Sequence, residues 1–137
     1  MIKFFSLLFL LNINLSFKEL NDKIIVGAER IDSYINLIKD KSIGLLVNHT
    51  STIKDIHLID TLLDLNLNIN KIYTPEHGFS GTIERGKLVK EDILTIKEKE
   101  IPLISMYGKN RIPSLESMQG IDIVIFDIQD VGARFYT

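Results

Sequence analysis

At 137 residues the chain can build one modest domain with its own core, and 45% apolar with 25% charged residues is the balance of a folded, soluble protein rather than a disordered one. A net charge of -2 supplies no basic field for nucleic acid. With no cysteine, disulfides, thiolate catalysis and zinc–thiolate centres are excluded.

The chain opens MIKFFSLLFLLNINLSF: one lysine, an apolar run over residues 4–11, then a polar end. The run is too short for a membrane-spanning helix, which needs about 20 apolar residues. Its three parts stand in the order of a secretory signal peptide. Residues 1–18 are therefore read as a signal cut near Ser16, which puts the mature chain in the periplasm or outside the cell with no stable membrane anchor. The competing reading is a buried N-terminal strand or helix in a cytoplasmic protein. The fold then falls to residues 19–137.

Over residues 30–38, Ile31, Tyr34, Ile35 and Ile38 recur at the spacing of one helical face. SIGLLVNHTS follows, and its unbroken apolar run over 43–47 predicts a strand covered on both faces. Thr52 and Asp55 resemble a capping box ahead of a second amphipathic helix carrying Ile56, Ile59, Leu62 and Leu63, with His57 off the apolar stripe and read as solvated. A strand predicted over 69–73 runs into YTPEHGFSG. Lysine alternates with acids over 87–99, which reads as a solvated face. Further strands are predicted over 102–108 and 121–126.

Helices alternating with buried strands predict an α/β layered domain with a mostly parallel sheet. Ligands of such sheets sit beyond the carboxyl ends of the strands. The polar clusters of this chain all follow a strand: Asn48, His49 and Thr50; Glu76 and His77; Tyr107; Asp127, Gln129 and Asp130. Parallel strands would gather them at one rim.

Each cluster has two readings. Glu76, crowded by Pro75 and Phe79, could be a general acid whose pKa burial raises. His77 could tune it, bind substrate or act as base, while Gly78 and Gly81 admit close backbone approach. The plain alternative is an ordinary turn whose Glu caps a helix or pairs with a lysine. Residues 48–51 offer amide and hydroxyl groups to sugar hydroxyls or an N-acetyl group, or else cap a helix. Asp127 and Asp130 could be a carboxylate pair with Arg134 clamping an anion, or an ion-pair network that holds the loop. The histidines and acids lack zinc or calcium spacing, no G-x-G-x-x-G follows the first strand, and no G-x-S-x-G elbow is present. No metal and no cofactor are expected.

GLLVNHTS, TPEHGFSG, ISMYGKNRIPS and FDIQDVGARFYT, in that order, resemble the N-terminal half of the exo-β-N-acetylmuramidase NamZ family, also named DUF1343, over about residues 24–137. The resemblance implies a Rossmann-like domain without a nucleotide, incomplete here because the family continues into further strands and a C-terminal domain. It implies a glycoside hydrolase of cell-wall recycling that releases N-acetylmuramic acid from the non-reducing end of peptidoglycan-derived glycans. Glu76 is then the catalytic carboxylate, suited to protonating the glycosidic oxygen. Asn48, His49, His77, Asp127, Gln129, Asp130, Arg134 and Tyr136 fall to substrate binding, with Arg134 on the lactyl carboxylate. Ser80 stands where the family carries a basic residue and Lys87 where it carries an acid, so the charge around Glu76 differs. The chain alone is expected to be inactive. The alternative is a non-catalytic wall-glycan-binding module or a decayed remnant, in which Asn48, Arg134, Tyr107 and Tyr136 would still bind.

Overall fold

The structure is a computed structural model, and it describes residues 24–108, 111–129 and 132. A 3-10 turn, Gly27–Glu29, leads into helix α1, Ile31–Ile38. The Tyr34 hydroxyl donates to the Ala28 carbonyl at 2.9 Å and ties the helix back to that turn. Strand β1, Ser42–Val47, follows. Ile43, Leu45 and Val47 are buried, and a Cβ on Gly44 would stand 2.9 Å from the Tyr73 ring. β1 is therefore covered on both faces, as its apolar run predicts.

Beyond β1 the chain departs from expectation. Thr52 does not cap a helix: Thr52–Ile53 (β2) and Ile56–His57 (β3) form a small antiparallel ribbon. Helix α2 is Leu58–Asp64, and its N-cap is His57, whose ring accepts from the Ile59 amide. The helical period of residues 56–63 is real only from Leu58 onward, and Ile56 is exposed. α2 buries Leu58, Ile59 and Leu62 against Ile43, Leu45, Ile69 and Ile72 of the sheet. Each side chain removed from water in this way contributes about 1.5–3 kcal/mol.

β4 is Asn68–Thr74 and β6 is Lys99–Ser105, the latter beginning three residues before the predicted strand. Between them lies β5, Asp92–Ile96, within the stretch read as a solvated face. It pairs antiparallel with β6 through a two-residue turn at Lys97 and Glu98. β7 is Ile123–Asp127. Among the described residues the main sheet has the order β5-β6-β4-β1-β7, parallel throughout except for β5. This is the expected α/β layered fold with a mostly parallel sheet.

β7 is apolar in sequence yet only half covered: Val124 is 40% and Phe126 71% exposed, and among the described residues β7 pairs with β1 alone. Residues 1–18, read as a signal, lie outside the described residues. No helix among the described residues is long and apolar enough to cross a membrane.

Candidate functional site

Four parallel strands end at one rim, and the loops that leave them are tied to one another. After β1, the Asn48 side-chain oxygen accepts from the Thr50 amide at 2.9 Å and from its hydroxyl at 2.7 Å, folding a tight Asx-type turn. Ser51 closes the turn. It is buried, its hydroxyl accepts from the Asn48 amide at 3.1 Å, and it donates to the Asp127 carbonyl. The β1 loop is thereby fastened to the end of β7. His49 is exposed and packs against Gly81, where a Cβ would stand 2.1 Å from His49 Nδ1.

After β4 the chain turns at Pro75 and brings Glu76 to a position only 8% exposed. Glu76 Oε1 accepts from the Gly86 amide at 3.0 Å, and its carboxyl is also hydrogen-bonded by the Tyr107 side chain. That bond, with burial and the Glu76 charge behind it, raises the Tyr107 pKa, partly opposed by Arg111 and Arg85. The phenol therefore remains a donor. Tyr107 reaches Glu76 because β6 continues beside β4: the Met106 amide donates to the Thr74 carbonyl at 2.8 Å. Buried Ser105 accepts from the Tyr107 amide at 3.2 Å.

His77 sits in left-handed backbone, φ 71°. Its Nδ1 donates to the Ile83 carbonyl at 2.6 Å, while the Ile83 amide donates back to the His77 carbonyl at 3.2 Å. The ring thus clips its own loop. Ser80 lies at the surface, bonded to the Thr82 hydroxyl at 2.7 Å, and Lys87 is exposed beside the Gly86 amide that holds Glu76.

At the end of β7, Asp127 is half-buried and pairs in register with Val47. Burial pushes its carboxyl above the usual range, and nearby His57 works the other way. Gln129 is exposed at the same end. Asp130, Arg134 and Tyr136 lie outside the described residues. Among the described residues no three potential ligands gather as a metal site.

His57 departs from its expected place on the solvated side of the helix. It is not solvated: Nε2 contacts the Asn48 carbonyl at 2.9 Å, Nδ1 accepts from the Ile59 amide at 3.2 Å, and the ring lies 4.9 Å from that of Phe79. A detectable signal was present, namely a polar residue directly before LIDTLL with Asp60 in the first turn. The Tyr107–Glu76 link had no such signal, since only the sheet brings the two together.

Known proteins resemble this chain in sequence and in fold. Residues 43–137 match the family described as exo-beta-N-acetylmuramidase NamZ, N-terminal. The chain is 37% identical over 112 residues to the peptidoglycan beta-N-acetylmuramidase NamZ of Bacillus subtilis (strain 168), a match that covers 78% of this chain and 26% of that protein. It thus spans about a quarter of that relative's length. Crystal structures of two DUF1343 family proteins from Bacteroides fragilis NCTC 9343 are similar at TM-scores of 0.61 and 0.65, with 40% and 32% identity. They cover 82% and 79% of this chain and 27% of each of theirs.

Proposed function

The chain belongs to the NamZ family through its N-terminal domain, and from that membership we propose that it is the acid-bearing part of a glycosidase that releases N-acetylmuramic acid from the non-reducing end of peptidoglycan-derived glycans. One observation carries the proposal. Glu76 is buried at the mouth of β4, fixed by the Gly86 amide and the Tyr107 hydroxyl, while the loops after β1 and β7 close around the same rim.

The bonds from the Gly86 amide and the Tyr107 side chain hold the carboxyl in place at the rim. There Glu76 would give its proton to the glycosidic oxygen as the C1–O bond breaks, the sugar carbon takes a hydroxyl from water, and the remaining proton of that water restores the acid form of Glu76 over the cycle. Asn48, His49, Asp127 and Gln129 would meet the hydroxyls and acetamido group of the sugar, and His77 would keep the loop shaped. Arg134, with Asp130 and Tyr136 near it in sequence, would receive the lactyl carboxylate that separates muramic acid from glucosamine. The chain spans about a quarter of its curated relative, so turnover is assigned to a polypeptide of the relatives' length, with binding alone left to these 137 residues.

The test is Glu76→Gln in a polypeptide carrying this chain at the relatives' full length, assayed on a chromogenic β-N-acetylmuraminide. Turnover should fall by roughly 100-fold or more with binding retained. Unchanged turnover removes Glu76 from the reaction. Binding without turnover in both forms identifies a glycan-binding module instead. Release of N-acetylmuramic acid by the 137 residues alone overturns the division of labour.

A further inference from the structure

We propose that His57 is a positioning residue: held in a single neutral tautomer, it fixes the Asn48–His49 turn against the loop that carries Glu76. Its partners dictate its protonation. The Asn48 carbonyl 2.9 Å from Nε2 can only accept, so Nε2 carries the proton. The Ile59 amide 3.2 Å from Nδ1 can only donate, so Nδ1 is bare. The ring is therefore Nε2–H imidazole, with both nitrogens committed.

Two loops and helix α2 meet on that ring. Nε2 holds the backbone of the β1 loop at Asn48. Nδ1 caps α2 and so anchors the ring to the helix packed beneath the sheet. The ring lies against Phe79 at 4.9 Å, tilted by 54°, which brings in the loop after β4. Asp127, at the end of β7, lies near the same ring. Because Asn48 and His49 are consecutive, fixing the Asn48 carbonyl fixes the direction from which His49 meets Gly81. A cap alone would need only the Nδ1 contact.

Two variants separate capping from positioning. Asn in place of His57 caps a helix well but is too short to reach the Asn48 carbonyl and has no ring for Phe79. Gln can extend an amide N–H to the Asn48 carbonyl but caps poorly. The experiment records imidazole nitrogen and backbone amide NMR spectra of the 137-residue chain, with thermal unfolding and titration by N-acetylmuramic acid. The wild-type ring should show a proton-bearing Nε2 and a bare Nδ1. His57→Asn should keep the melting temperature, shift the amides of residues 48–51 and 79–81, and weaken binding about tenfold, the loss of one hydrogen bond. His57→Gln should melt earlier yet recover most of the amide positions and the affinity.

An Nδ1–H ring, or unmoved amides in His57→Asn, overturns the proposal. The binding arm rests on the glycan reading of the rim, whereas the tautomer and amide shifts do not. If the wild-type chain ignores N-acetylmuramic acid while both spectral results hold, the glycan reading fails and the positioning role stands.

Discussion

At the residue scale the rim is held by contacts with no spare room. Gly81 has φ 71°, and an added Cβ would fall 2.1 Å from His49 Nδ1. Gly81→Ala must both strain the backbone and displace the imidazole, and should lower stability by about 1–3 kcal/mol, read from the midpoint of urea unfolding. Asp127 carries a pH signature. Its folded pKa is raised by burial, so between the unfolded value and the raised one the native state binds more protons. Stability therefore falls as pH rises through that window, and the ionised carboxylate is a small burden at neutral pH. Asp127→Asn should raise the melting temperature at pH 7, with the gain fading toward pH 3. Glu76, Asn48 and Asp127 could be picked out in the sequence because each polar residue interrupts or ends an apolar run. His57 could not be recognised by the same rule, because its function depends on a carbonyl and an amide, groups that every residue carries.

At the element scale β1 and α1 were readable, since their periodicities are set by burial that the structure preserves. The β5–β6 hairpin was not. Its turn residues, Lys97 and Glu98, both have positive φ, 49° and 64°, as a two-residue primed turn requires. The sequence offers charged residues where Asn-Gly would announce such a turn. The local cost is tolerated because Lys97 also reaches the Asp64 carboxylate and pairs α2 with the hairpin. Glu98 makes no such contact among the described residues, and Glu98→Gly should relieve left-handed strain and stabilise the chain by roughly 0.5–1 kcal/mol, seen as a higher midpoint in urea. The start of α2 was misjudged for a related reason: the ribbon of β2 and β3 keeps Ile56 in phase with the helical stripe while removing it from the helix.

At the scale of the whole molecule, sheet type and the meeting of the loops at one rim followed from the alternation of strands and helices. The exposure of β7 did not, because an apolar strand looks the same in sequence whether one face or both are covered. With Phe126 71% and Val124 40% exposed beside a cleft of about 410 Å³ lined by Leu37, Ile123 and Ile125, β7 is, among the described residues, an edge strand with an apolar face, which favours association. Phe126→Lys should reduce concentration-dependent self-association in sedimentation velocity and leave the melting temperature nearly unchanged, since that side chain buries little.

β1 lies between β4 and β7, and the bond from the Ser42 amide to the Asp122 carboxylate joins residues 80 apart. As the polypeptide leaves the ribosome, β1 can pair with β4 early. Its other flank stays bare until β5, β6 and the turns after them have been synthesised. The carboxylate at position 76 thus emerges well before the strand that completes its surroundings, and the nascent chain passes through an interval with an apolar backbone edge open to chaperones or to neighbouring copies.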